Sequence, residues 1–508
     1  TSIYVFNLRG NQRTSGELSR KEGGKIFGSG SRTPITITFL VKNPAKKQKK
    51  ATIYYHDIGD YLTREQKLDI IKKFRSIQNI EWQELSPNEK NDWINVRDGL
   101  FDSLYQLGDK DNKNNIATFF IPWYTCGVKT NRDAWCYNFS SKRLVKNINL
   151  AIDFYNEQCE KIAHGYIDEP DNDVSRFSWS YVIKNRAIKG LKTKFDEGFI
   201  IDAHYRPFNI QKMYFGKNLN ENQYLINNSY IGEATENVWI VAPGIGSNKD
   251  FSVIITKILP DLGLNAACQC FPLYWYEENK NKQRSLFNNE PSEDYIRRDG
   301  ITDWILKEVR TRYGTREITK EMIFYYVYGL LHSEDYRTRF AADLKKSLPR
   351  IPIVERVEDF MDFYRYGKKL ADLHLNYETV APCPGVVVRG DRQATGAEED
   401  YDYFRIYDKM RFRSKEDKSI IIYNGNITIE NIPAKAYEYV VNGKSAIEWI
   451  VERYCVSRDK KSLIMNDAND WGREHGKPRY ILDLLLSVIN VSVQTVDIVS
   501  KLPKLKFE

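Results

Sequence analysis

Histidine and cysteine are scarce, six and seven among 508 residues. The cysteines form no C-x-x-C pair; Cys268 and Cys270 stand two apart, and no second pair follows. Structural zinc modules need two closely spaced ligand pairs, so a metal-built fold is excluded. An odd number of unpatterned cysteines reads as reduced, buried thiols in a cytoplasmic protein. No apolar run approaches the roughly 18 residues of a membrane span, and no signal peptide opens the chain. No membrane partner is therefore expected. The absence of G-x-x-x-x-G-K-[ST] excludes a P-loop motor. No repeat and no heptad array is present, which argues against solenoids and coiled coils.

Aromatics, by contrast, are plentiful: 13% of residues, including 33 tyrosines and 10 tryptophans. Such rings stack on bases in nucleic-acid binders. They equally anchor cores and turns, which is the commoner use of any single ring. The formal net charge of +8 is mild for this length. It suits a polyanionic partner without demanding one. The length allows two or three domains.

Residues 3–8, 34–41 and 52–56 are β-branched and aromatic runs that predict three strands. The first begins almost at once, which suggests a fragment of something longer. A glycine-rich, charged loop, 10–32, separates the first two strands, and a lysine-loaded turn, 42–50, separates the second from the third. Thr63 and Gln66 have capping-box spacing and predict a helix with Leu68, Ile71 and Phe74 on one face. Three strands and one helix make an incomplete α/β sheet. From about residue 76 to 290 the pattern predicts short strands. A helical stretch follows over 295–377, with Pro349 and Pro352 ending its third helix. Residues 382–401 are rich in Gly, Pro and acidic side chains and predict a linker or mobile loop. The remainder mixes strands and helices.

Several blocks resemble one family: NLRGNQRTSGE at 7–17 with KEGGKIF at 21–27, TNRDAWCYNF at 130–139, YRPF at 205–208, and QCFPLY at 269–274. YYVYGLLHS at 325–333, KKLADLHLNY at 368–377 and YEYVVNGKSA at 437–446 complete the set. In this order they are similar to the carboxy-terminal part of type ISP restriction-modification proteins. The resemblance implies a long polypeptide with nuclease, helicase-like motor, adenine-N6 methyltransferase and target-recognition parts. This chain would hold the last methyltransferase strands and the recognition domain. S-adenosylmethionine, ATP and Mg would serve the full-length parent, with no cofactor in this chain. Double-stranded DNA and the missing nuclease, helicase and methyltransferase parts would be its partners.

Absences agree with that placement. The Asn-Pro-Pro-Tyr/Phe motif that grips a flipped adenine cannot be present, because no Pro-Pro pair exists. Gly28-Ser29-Gly30 is a weak look-alike of a cofactor loop. No catalytic residue and no metal ligand is therefore expected. The expected fold is mixed α/β (α+β): a remnant of a Rossmann-like methyltransferase sheet over 1–75, then a recognition domain. The latter divides into a β-rich part 76–290, a helical part 291–380, a loop 381–403 and an α/β part 404–508.

Candidate DNA contacts follow from side-chain chemistry. Arg13, Arg20, Lys21, Lys25 and Arg32 in the 10–32 loop suit phosphates near an extruded base, or else belong to a solvated loop. Lys129, Asn131 and Arg132 suit groove reading, since arginine pairs with guanine and asparagine with adenine. The alternative there is a turn with Trp135 as a core plug. Residues 178–180 predict a short strand leading to a basic helix with Lys184, Arg186 and Lys189. Arg206 beside Pro207 reads as part of a structural turn that could still reach a phosphate. The 243–249 turn offers amides to a phosphate. Tyr325, Tyr326 and Tyr328 read as packing, and His332 and His374 as buried polar residues. Base readers are expected in stretches outside the family-like blocks, such as 218–237 or 408–418. Two other readings stay open: one part of a split methyltransferase completed by a partner chain, and an interaction scaffold without DNA affinity.

Overall fold

The computed structural model describes residues 1–14, 16–28, 30–45, 50–232, 235–279 and 294–507. Residues 46–49 of the lysine-rich turn, Ser29, and the expected boundary at 290/291 lie outside the described residues. The architecture is mixed α/β and divides into two compact units.

Unit 1 comprises Thr1–Ser103, Gly246–Asp250 and Arg339–Ser347. Its sheet has the order β2 (Ile35–Val41), β1 (Ser2–Arg9), β3 (Thr52–Asp57), β4 (Gln83–Leu85). Strands β1 and β3 are parallel and the other pairs antiparallel. The expected capping box forms: Thr63 caps α2 (Arg64–Phe74), and Gln66 reaches back to the Thr63 amide at 2.8 Å. Helix α2 presents Ile70, Ile71 and Phe74 to Phe6, Leu8 and Ile58, burying one sheet face. On the edge strand β2, Phe39, Leu40 and Val41 are exposed.

Ion pairs and rings hold the later segments of unit 1, up to residue 103. Arg97 and Lys346 both bind Asp92, Arg339 binds Asp98, and the Phe101 and Phe340 rings lie 5.2 Å apart. Between β1 and β2 the expected loop contains a seven-residue helix, α1 (Gly16–Glu22). It has no apolar stripe to announce it.

Unit 2 comprises Leu104–Ile245, Phe251–Thr338 and Leu348–Glu508. Within 76–290, expected to hold short strands and the basic helix near 184–189, stands a further helix, Ser141–Ala163, 23 residues long and capped by Ser140. Leu144, Ile148, Ile152, Tyr155 and Cys159 recur along it at helical spacing and are buried. Two four-stranded sheets flank it in sequence; one contains the hairpin of Ile200–Arg206 with Asn209–Tyr214. Its turn is Pro207-Phe208, as expected, with Phe208 at φ 58° and its ring buried.

The helical stretch begins with a strand, Tyr295–Asp299, paired to Tyr274–Glu278. Residues 381–403 also differ from the expected linker. Val387–Arg389 pairs with Thr428–Glu430, and Asp400 accepts from the Thr395 and Gly396 amides and from Arg392. The carboxylate, not the composition, organises that stretch.

Tyr326 and Tyr328 are fully buried, and Tyr326 donates to the Pro352 carbonyl at 2.6 Å. His374 Nε2 lies 2.8 Å from Thr495 Oγ1, whose own hydrogen goes to the Val491 carbonyl. His374 therefore donates through Nε2 and accepts the Tyr328 hydroxyl at Nδ1, 2.6 Å away. The expectation that no apolar run could span a membrane is corrected by Tyr480–Val499, which has the length and composition to do so. Here its residues Leu482, Leu485, Val488, Ile489 and Val491 lie in the largest core.

Candidate nucleic-acid interface

Unit 1 folds the 10–32 segment back on its own sheet. The chain leaves β1 with Arg9 and Gly10 at φ 55° and 91°. Gln12 N donates to the Arg32 carbonyl at 3.0 Å and its side chain to the Gly23 carbonyl at 2.8 Å, closing the segment. At Gly23 a Cβ would stand 2.2 Å from the Leu62 carbonyl oxygen, and at Gly24 2.4 Å from the Arg64 amide. Glycine is therefore required for this approach to the start of α2. Lys67 staples it: its buried Nζ donates to the Glu22 and Gly24 carbonyls at 2.7 and 2.8 Å. Burial pushes the Lys67 ammonium below its ordinary pKa.

The result is an open cavity of about 570 Å³, lined in part by Gln12, Lys25, Arg32, Thr63 and Arg64. Arg13, Arg20, Lys21 and Arg32 are exposed, and Lys25 is half-buried on the cavity wall. Five expected cations thus sit on one segment that is tied to the start of α2 at Glu22 and Gly24. The 243–249 turn offers less. Its Gly244 amide donates to Ala266 and its Gly246 amide to Lys345, so neither points to a ligand.

In unit 2, Arg132 is 2% exposed. Its guanidinium donates to the carbonyls of Thr130 (2.8 Å), Ser178 (3.1 Å) and Leu219, and to Ser180 Oγ (2.7 Å). Residues 178–180 form no strand; the Ser178 carbonyl and the Ser180 hydroxyl accept from Arg132, and the basic helix follows as Tyr181–Ile188. Lys129 exchanges backbone hydrogen bonds of 2.9 and 3.0 Å with Asn222. Asn131, exposed at φ 58°, stands between these anchored neighbours. Along the helix, Lys184 pairs with Glu169 at 2.6 Å, Arg186 donates to the Lys217 carbonyl at 3.0 Å, and Lys189 is exposed.

Arg206 is likewise used inside the protein. It pairs with Asp261 (2.5 Å) and Asp133 (3.2 Å) and lies 3.8 Å over the Tyr205 ring. Tyr137 donates to Asp261 at 2.8 Å and Tyr205 to Asp133 at 3.0 Å. Burial pushes the Asp261 carboxyl up to about 6, outweighing the attraction of Arg206. The groove-reading expectation for Arg132 and the phosphate expectation for Arg206 thus give way to internal roles in this structure. Trp135 is the buried plug of the alternative reading.

Neither Asp261 as the partner of Arg206 nor Asn222 as the partner of Lys129 is marked in the sequence, since the two partnerships span 55 and 93 residues of chain. No local spacing encodes them. Asn222 does fall in the 218–237 stretch marked for base readers. Among the described residues, no group of three His, Cys, Asp or Glu side chains is placed to hold a metal ion.

The model of the Type ISP C-terminal specificity domain matches residues 119–484. A comparison with curated proteins finds no match. Among solved structures, the chain is similar over 100% of its length to a nuclease-deletion mutant of the Type ISP restriction-modification enzyme LlaGI in complex with a DNA substrate mimic. That likeness has TM-score 0.85 and 39% identity, and covers 44% of the other chain. The ATP-dependent Type ISP restriction-modification enzyme LlaBIII bound to DNA gives TM-score 0.85 and 35% identity, covering 100% of this chain and 31% of that one. A DrdV–DNA complex gives 0.82 and 29%, covering 100% and 48%. The chain thus spans less than half the length of each of these proteins. Matched over most of its length by the family's sequence model and end to end by its solved members, the chain belongs to the Type ISP C-terminal specificity domains.

Proposed function

We propose that this chain recognises a specific sequence in double-stranded DNA for a Type ISP restriction-modification enzyme. Adenine-N6 methylation and ATP-dependent restriction would be carried out by other parts of the polypeptide. The observation that carries the reading is the family match over 119–484, joined to likeness along the whole chain with enzymes solved on DNA. Such a protein works in the cytoplasm, where its DNA is.

Exposure and internal hydrogen bonding guide which residues are proposed for contact. Arg13, Arg20, Lys21, Lys25 and Arg32 would hold phosphates from unit 1, and Lys129, Lys184, Arg186 and Lys189 from unit 2. The donors of Arg132 and Arg206 are committed internally, so both leave the contact set. Unit 1 would be the closing part of a methyltransferase sheet, consistent with the exposed apolar residues of its edge strand β2.

S-adenosylmethionine, ATP and Mg would bind those other parts. The glycines at 28 and 30 do not fit a cofactor cradle, because a Cβ at either meets nothing within 4 Å. No step is assigned to a cofactor on this chain.

The test is the affinity of the chain for duplex DNA across a salt series. Binding at low salt is expected to fall steeply as salt rises, with a log–log slope near −0.9 per phosphate neutralised. No duplex binding at low salt would instead leave the chain an interaction scaffold.

A further inference from the structure

Arg132 is a costly residue to bury. None of its four acceptors is a carboxylate; Glu221 reaches it only through the Ser180 hydroxyl. An apolar side chain would fill the same space without desolvating a charge. What the guanidinium adds is geometry. Its acceptors lie on three separate segments, at 130, 178–180 and 219, and the Lys129–Asn222 backbone pair adds a second tie between the first and third.

These tied segments present amide and aromatic groups outward. Asn131 is exposed, and its side-chain amide has no hydrogen-bond partner among the described residues. Its base is rigid: Thr130 Oγ1 binds Asp133 on one side, Arg132 is fixed on the other, and Ser178 Oγ donates to the Asn131 carbonyl. Asn222 is exposed with its Oδ1 turned to the Tyr224 amide at 2.6 Å. Tyr181 is 80% exposed at the start of the basic helix, and Tyr224 is exposed beside Asn222. A carboxamide carries a donor and an acceptor side by side, which matches adenine N6 and N7 in the major groove. Pre-set placement is what such pairing requires.

We propose that the three loops tied by Arg132 form one base-reading surface, in which the Asn131 amide reads an adenine and Arg132 is its positioning residue. This rests on the DNA-recognition reading above.

Asparagine also suits a positive φ for conformational reasons alone. Asn131→Gly separates the two roles, since glycine keeps the turn and removes the amide. The experiment is selection from random duplexes with the wild-type chain, Asn131→Gly and Arg132→Lys, each with a thermal melt and a salt series on unselected duplex. The wild type is expected to enrich one motif containing an adenine. Asn131→Gly loses preference at that adenine alone, by roughly ten- to hundredfold. It keeps the other positions, the salt slope and the melting temperature. Arg132→Lys retains the charge but cannot reach all four acceptors, and it blurs the same position with an unchanged salt slope. An Asn131→Gly motif identical to the wild-type motif overturns the reading role. An Arg132→Lys chain that fails to fold, or that keeps the wild-type motif, overturns the positioning role. A wild-type chain that enriches nothing overturns the recognition reading itself, and this inference with it.

Discussion

Gly329 and Gly367 face each other across two helices of unit 2, Lys320–His332 and Val357–Leu375, at backbone contact. A Cβ on Gly367 would stand 2.0 Å from the Tyr325 carbonyl oxygen, and one on Gly329 2.3 Å from that of Phe363. Neither obstacle is a side chain that could swing aside. Gly367→Ala must push the helices apart and is expected to destabilise the chain by about 1–3 kcal/mol or more. Gly425→Ala, where a Cβ meets nothing within 4 Å, serves as the contrast and should stay within about 0.5 kcal/mol. Urea unfolding of both variants checks this.

Arg206 and Asp261 form a pair whose members depend on each other unequally. Arg206→Met leaves the buried Asp261 carboxylate without its cation and is expected to cost about 3–5 kcal/mol. The pair also carries a pH signature. The folded state holds the Asp261 proton up to about pH 6, against an ordinary 3.8. A raised folded value means a contribution fully present below pH 3.8 and lost as pH rises through 6. Measured as the difference between wild type and Asp261→Asn, unfolding free energy should fall between pH 4 and 6 and level off above. A flat difference would contradict the buried, proton-holding carboxyl.

The buried histidines pull the other way. His204 and His332 are held down to about 3, each by burial, and His374 also lies well below its ordinary value. His204 donates to Thr256 Oγ1 at 3.1 Å, and its Nε2 has no partner. Depressed folded values give stability present above pH 6.5 and lost as pH falls toward 3. Each histidine adds up to about 1.4 kcal/mol of loss per pH unit in that window. Stability measured from pH 7 down to 5 should therefore decline, and His204→Gln should remove about one proton from the slope.

Arg13 and Arg20, exposed on the segment stapled by Lys67, test the phosphate contacts. Each changed to Ala is expected to reduce the salt slope of duplex binding by about 1 without altering sequence preference. A changed preference with an unchanged slope would make them base readers instead.

How much of this was legible depended on how local the determining interaction was. The strands of unit 1 and the Thr63–Gln66 cap were readable because alternation and capping act over a few residues. The Ser141–Ala163 helix was equally readable, since Ser140 caps an i, i+4 apolar stripe. The aromatic, turn-rich texture on either side masked it. Helix α1 was not readable, because its seven residues carry a single apolar side chain, Leu18, and so give no stripe. The distant acceptors of Arg132 and Arg206 were beyond local reading. An arginine offers the same donors to a phosphate, to the Leu219 carbonyl 87 residues away, or to Asp261 55 residues away. Only the fold decides which acceptor arrives. The acidic 381–403 stretch misled for a related reason. Its composition matches a linker, yet Asp400 folds it by capturing amides four and five residues upstream.

The most direct test of the account is the ratio of dissociation constants for a selected duplex and its scrambled counterpart, at one physiological salt concentration. A sequence-recognising chain predicts a ratio on the order of 10³ or more. A ratio near one, with both affinities falling equally as salt rises, would leave only phosphate binding and contradict the central claim.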